Sequence, residues 1–264
     1  MANNTYMEIL DRNYCQTTTQ FVVNSNTVTV ENLLNPDTNI QYYTDGFDND
    51  ATTCSITISF DSTQTVSRIA LLQHNWKKFN IYYGGVTANA FAMTSTSSTM
   101  TSQWINNSET SQYIRCTPVA CTSVTFDIYS TQAVNSEKAI GHLMLSDVNV
   151  NFSRMPNADS YKPKWDPEQV VHQMSDGGFR LHTVRLKYMA DIKLKYVTKA
   201  FRDELVEVWR GQNPFLFVPF GTTTSWDAIA FEAIWPGAFD FYTYSDDALS
   251  SGFSGTISLR ETTS

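Results

Sequence analysis

Between Tyr42 and Asp50 the chain reads YYTDGFDND, which sets three carboxylates, Asp45, Asp48 and Asp50, close to Gly46 in one short stretch. Carboxylates grouped this closely can cradle a metal ion, because hard cations take oxygen donors. They can equally form an acidic turn in which Asp45-Gly46 reverses the chain and the other two acids face solvent. No other group of side chains suggests chemistry. His74, His142, His172 and His182 stand singly, without a cysteine or acid at ligand spacing, and Cys15, Cys54, Cys116 and Cys121 show no CxxC pair. The cysteines read as buried reduced thiols, with a Cys116–Cys121 bridge across a hairpin as the alternative. The signatures of serine hydrolases, zinc peptidases, P-loop enzymes and dinucleotide-binding enzymes are missing. The chain is therefore read as non-enzymatic, with no catalytic residue.

The elements that must position these residues are strands. Of 264 residues, 42% are hydrophobic and only 17% charged, which suits a β-rich globular protein with a surface of Thr, Ser, Asn and Gln. The net charge of −8 works against a nucleic-acid partner, since phosphate binding relies on clustered Lys and Arg. No apolar run is long enough to span a bilayer, and MANNTYMEIL lacks the basic start and apolar core of a signal peptide. No membrane insertion and synthesis in a cytoplasm are expected.

The chain divides by charge and pattern. Residues 1–150 carry six Lys or Arg against twelve Asp or Glu, and the remainder carries twelve against fourteen. The proline-containing segment RMPNADSYKPKWDPEQ lies between them. This gives a first domain at 1–151 with an N-terminal arm, a linker at 152–178 and a second domain at 179–264. In the first, TVTV, CSITISF, VSRIALL, FNIYY, YIRC, SVTFDIY and HLMLSDVNV predict short antiparallel strands. In CSITISF, Ile56, Ile58 and Phe60 alternate with Ser55, Thr57 and Ser59, giving one buried and one wet face.

In the second domain apolar residues fall on even positions from Leu186 to Tyr196, with Arg185, Lys187, Asp191, Lys193 and Lys195 on odd ones. A period of two predicts one long half-buried strand or two joined by a bulge. The period then changes. Thr198 as N-cap, Asp203 and Glu204 in the first turn, Phe201, Leu205, Val208 and Trp209 at helical spacing, and Gly211 as a stop predict a helix over 199–210. PFLFVPF, WDAIAFEAIW, FDFYTY and GTISLRE complete a β-sandwich or barrel.

The order of pieces over 27–150 resembles the discoidin family of jelly-roll β-sandwich modules. The Asp45-Gly46 turn, the Ile69–Leu72 strand with His74-Asn75, and the Phe79–Tyr83 strand with Gly84-Gly85 carry the resemblance. It implies a structural calcium ion held by Asp45, Asp48 and Asp50, although Gly141-His142 stands where that family often places a glutamate. It also implies ligand binding by loops at one end of the sandwich. Rings stack on the apolar faces of sugars, so Phe47, Trp76 and Trp104, with Tyr42 and Tyr43, are candidates for a glycan. Residues 179–264, with their helix and final SLRE, resemble the tube-type domain of bacteriophage tail proteins, which assembles edge to edge into rings. That resemblance implies a structural role in a virion tail, with itself and other tail proteins as partners and Arg185, Lys187, Lys193 and Lys195 at the assembly face. An outward first domain would touch host-surface glycan. The alternatives are a carbohydrate-binding protein with no virion role, or a head decoration or connector protein.

Overall fold

The computed structural model describes residues 7–35, 39–46, 50–93, 102–147, 150–152, 161–174, 177–219, 230–243 and 252–262. In chain order its strands are β1 (Glu8–Leu10), β2 (Phe21–Val23), β3 (Tyr42–Tyr43), β4 (Cys54–Leu72), β5 (Trp76–Tyr83), β6 (Gln103–Trp104), β7 (Gln112–Thr131) and β8 (Ala139–Ile140). There follow β9 (His142–Ser146), β10 (Val150–Asn151), β11 (Tyr161–Gln173), β12 (Phe179–Val197), helix α1 (Lys199–Gly211), β13 (Phe215–Val218), β14 (Phe231–Ile234), β15 (Phe241–Thr243) and β16 (Phe253–Glu261). The chain is thus mainly β, with two sheet regions and, among the described residues, a single flanking α-helix. It forms two compact units, one built chiefly on Arg12–Val148 and one on Tyr6–Asp11, Asn149–Pro219 and Ala230–Ser264.

The first unit is organised by the antiparallel pair β4 and β7, into which the four short runs CSITISF, VSRIALL, YIRC and SVTFDIY merge. The pair is interrupted between Ser59 and Gln64 and again between Val66 and Arg68. Such irregularities bend a strand and change its neighbours. Before them β4 lies between β2 and β7, with β5 and β6 beyond; after them it lies between β9 and β7. Both halves feed one core. Ile56, Ile58, Phe79, Ile81, Phe126 and Ile128 from the first half meet Ile69, Leu71, Leu143 and Leu145 from the second in a single buried cluster. The alternation expected in CSITISF is present, with Ile56, Ile58 and Phe60 buried and Ser55, Thr57 and Ser59 not. After β5 the chain reverses at Gly84 and Gly85, both at positive φ, a conformation that costs glycine little.

Two expectations for this unit are corrected. TVTV is not a strand: Thr27–Leu34 is a 3₁₀ helix, whose three-residue turn buries Val30 and Leu33 on one side. Cys116 and Cys121 do not form a hairpin bridge, since both lie along β7, and all four cysteines are free and buried. Burial pushes the Cys121 thiol up to about 11 and the Cys116 thiol up to about 12, which keeps them protonated and unreactive.

The second unit is an eight-stranded sheet in the order β10-β1-β13-β14-β16-β12-β11, with β15 also paired to β16. The N-terminal strand β1 is internal to this sheet, and its three residues are all buried. Three residues are too few to display a period, which is why pattern alone assigns them to an arm. The stretch 152–178, a linker by its prolines, instead contains β11, which pairs with β12 along its length. Pro163 and Pro167 fit there because, among the described residues, β11 has a strand on one side only, so a missing N–H need not break a ladder.

In β12 the expected alternation holds from Tyr188 to Leu194, with Tyr188, Ala190, Ile192 and Leu194 buried. It fails at Tyr196, which sits at φ 58° in an irregularity between Leu194 and Val197 and is exposed, while Val197 takes the inward position. Helix α1 begins as expected, with Thr198 Oγ1 accepting from the Phe201 N–H at 3.2 Å. It buries Leu205 and Val208, and Phe201 meets Phe152 edge-on at 5.2 Å. Asp203 and Glu204 lie beyond the first turn, and Asp203 instead pairs with Lys199 at 2.6 Å. Gly211 is the last helical residue, and Gln212 at φ 49° is the left-handed cap.

Removing one cap oxygen leaves an N–H unsatisfied. Thr198→Ala is expected to lower stability by about 1 kcal/mol, read as a shifted urea midpoint of the full chain, whereas Thr198→Ser retains the midpoint. An unchanged midpoint in the alanine variant would show that the cap contributes nothing.

Candidate functional site

At one end of the first unit, loops following β3, β4, β6 and β7 are tied to one another by side chains acting on backbone. Asn75 donates to the Glu137 carbonyl at 2.7 Å and accepts from the Ala139 N–H at 2.9 Å, while its own carbonyl accepts from the Gln132 N–H at 2.8 Å. Gln132 Nε2 donates to the Glu109 carbonyl at 2.9 Å, and the His74 N–H donates to the Thr110 carbonyl at 2.6 Å. Beneath them the Asn107 amide donates to the Trp76 carbonyl at 2.8 Å. Loops held this way lose little entropy when a ligand arrives.

Asp50 belongs to the same network. One carboxylate oxygen accepts from the Thr131 N–H at 2.9 Å and hydroxyl at 3.1 Å, and the other accepts from the Asn135 N–H at 3.1 Å. Burial would raise its pKa, but those donors and the Lys138 charge together hold it below the usual carboxylate range. Lys138 is the counterpart. It is buried, its Nζ donates to the Thr52 carbonyl at 2.9 Å, and its N–H donates to Thr44 Oγ1 at 2.9 Å. Burial pushes its ammonium below the usual range, while Cys54 and Asp50 oppose that shift.

The calcium expectation meets this arrangement directly. Asp45 is exposed, with its N–H donating to Ser25 Oγ at 3.2 Å, and Asp48 lies outside the described residues. Among the described residues no group of three or more His, Cys, Asp or Glu is arranged to hold a metal ion. The described part of the loop fits a divalent ion poorly, because both Asp50 oxygens already accept hydrogen bonds and the neighbouring cation is an ammonium. No sequence signal marks Lys138, a single lysine in no pattern.

The aromatic candidates separate. Trp76 is fully buried, with Phe79 at 5.5 Å and Phe126 at 6.1 Å, so it is corrected from ligand contact to core. Tyr42 is likewise buried, its hydroxyl donating to the Ser25 carbonyl. Trp104 is half-buried and stacks on Phe79 with centroids 4.6 Å apart. Phe47 lies outside the described residues. Tyr43, next to the 44–46 turn and paired with Ala139, is exposed.

The cations expected at an assembly face have register partners. Lys187 lies opposite Asp166, Arg185 opposite Glu168 and Asp191 opposite Lys162, and Lys164 contacts Asp191 at 3.1 Å. Opposite charges that face each other across a strand pair favour its pairing, and the Lys164–Asp191 contact is one such. Lys193 and Lys195 are exposed, Lys193 lying opposite Thr256.

No family model matches the chain, and no curated protein matches it. Solved structures do. The family 32 carbohydrate-binding module of Clostridium perfringens NanJ, in complex with galactose, is 14% identical over 53% of this chain and 99% of its own, with a TM-score of 0.38. A pectin-binding carbohydrate-binding module is 15% identical over 48% of this chain and 88% of its own, at 0.35. A chitosan-binding module from a chitosanase/glucanase of a Paenibacillus species is 10% identical over 55% and 96%, at 0.33. Likeness at this level says nothing of a ligand.

Two outcomes are expected. Chelation of divalent ions leaves the melting temperature unchanged, whereas Lys138→Met lowers it; a fall on chelation, restored by calcium, would show that the loop takes a metal after all. Burial also pushes His74 down to about 3 and His142 down to about 4, the latter against its bond with the Asn35 carbonyl. A depressed imidazole adds stability that is complete above its unfolded value, about 6.5, and is lost as pH falls toward the folded values. Thermal stability should therefore decline from about pH 6.5 to about pH 5, before most carboxylates titrate, and His142→Asn should flatten that limb. A flat wild-type profile there would contradict the burial of both rings.

Proposed function

We propose that the chain is a non-catalytic carbohydrate-binding protein whose first unit recognises glycan through the tied loops at the Asn75 end. The observation that supports this is the locking of those loops by Asn75, Asn107, Gln132 and Asp50, with Tyr43 exposed beside them. A rigid polar platform carrying an aromatic ring suits a sugar, which offers hydroxyls to amides and an apolar face to the ring. The acidic balance of the chain disfavours polyanionic ligands.

A second reading, a structural protein of a phage tail that carries this module outward, is favoured by one feature of the second unit. The hairpin of β11 and β12 runs well past the part of β12 that pairs with β16, which begins only at Met189. A strand pair extending beyond its sheet is suited to contact with another subunit.

The full chain on a glycan array is expected to give a restricted set of signals, and Tyr43→Ala to reduce them at least tenfold with the melting temperature unchanged. Absence of any glycan signal from folded protein, or retention of full signal by the variant, would remove Tyr43 and the loop end from the proposal.

A further inference from the structure

Lys138 is 1% exposed, and a lysine buried that deeply is rare unless its charge is matched. Among the described residues no carboxylate touches it. Its Nζ donates to the Thr52 carbonyl at 2.9 Å, and the Asp50 charge acts on it without contact. A backbone carbonyl and a carboxylate gathered around one positive charge resemble the donor set of a hard cation. Here the charge comes from a side chain.

The lysine also does what a loop-bound ion does, which is to tie together segments far apart in sequence. Its N–H donates to Thr44 Oγ1 at 2.9 Å, its carbonyl accepts from the Thr44 N–H at 3.0 Å, and its Nζ holds the segment before β4. The next residue, Ala139, donates to Asn75 Oδ1 at 2.9 Å and pairs with Tyr43. Residues 138 and 139 therefore join the turn after β3, the loop before β4 and the residue that precedes β5.

The local charge matches a monovalent cation. Of the described acids in the 42–50 stretch only Asp50 acts on Lys138, while Asp45 is exposed. The two Asp50 oxygens accept from Thr131 and Asn135, so they need no metal to satisfy them. Close to the position where the discoidin resemblance implies a glutamate, His142 bonds through Nδ1 to the Asn35 carbonyl at 3.1 Å and adds no negative charge. A divalent ion would find one described carboxylate to balance two charges, whereas an ammonium needs only one. The missing glutamate and the buried lysine are thus two sides of one change.

We infer that the Lys138 ammonium is the resident cation of this loop end and takes the place of the divalent ion that the discoidin resemblance implies. Lys138 is then a positioning residue for the loops of the proposed glycan platform, and its role needs no bound sugar. Charge reversal in the full chain tests this. Lys138→Glu sets a second carboxylate near Asp50 and should turn the loop end into a calcium site. Isothermal titration calorimetry of that variant should show a single calcium per chain, and saturating calcium should raise its melting temperature by about 5 °C over chelator. The parent should show neither effect. A double-mutant cycle covers the case in which Lys138→Glu does not fold. Lys138→Met and Asp50→Asn should each lower the melting temperature, and K138M/D50N should lose less than their sum, because neither charge is left without the other. A parent stabilised by calcium, a folded Lys138→Glu that takes up none, or additive losses in the cycle overturns the inference. None of these measurements involves a sugar, so failure of the glycan reading leaves the inference standing, and its own failure leaves the glycan reading intact.

Discussion

An extended strand turns successive side chains to opposite faces, and the architecture of this chain depends on correcting that alternation wherever a long strand would lose it. β4 keeps Ile56, Ile58 and Phe60 inward and then, after its irregularities, Ile69 and Leu71. An uninterrupted strand of that length would leave the sheet's own core behind. β12 contains two such corrections, one at Val184 and one around Tyr196. The second delivers Val197 inward and sets Thr198 where it caps α1. The helix is therefore positioned by a fault in the strand before it.

The loop end obeys a different constraint. Backbone groups there leave the ladders, and each buried one needs a partner. Asn75, Asn107 and Asp50 meet that need with short, fixed side chains, and Lys138 supplies a cation from within the chain. His74 Nδ1 accepts from the Trp76 N–H at 3.2 Å, which places the ring proton on Nε2 when the ring is neutral. The tryptophan and the loops are thus fixed by the same group, and a core position supports a surface one.

Legibility in the sequence follows from how local each signal is. The period of two in CSITISF and in Tyr188–Leu194, and the Thr198 cap, are local and can be read directly. Other features cannot. β1 is too short to show a period, yet it lies inside a sheet formed by residues more than a hundred positions away. The prolines of β11 resemble those of a linker because an edge strand tolerates the same residues. Trp76 and Tyr43 are alike as aromatic residues, and only the packing of Phe79 and Phe126 around the first distinguishes core from surface. The carboxylate loop misleads for a related reason: Asp50 is committed to amides more than eighty residues onward, a distance at which no spacing rule operates.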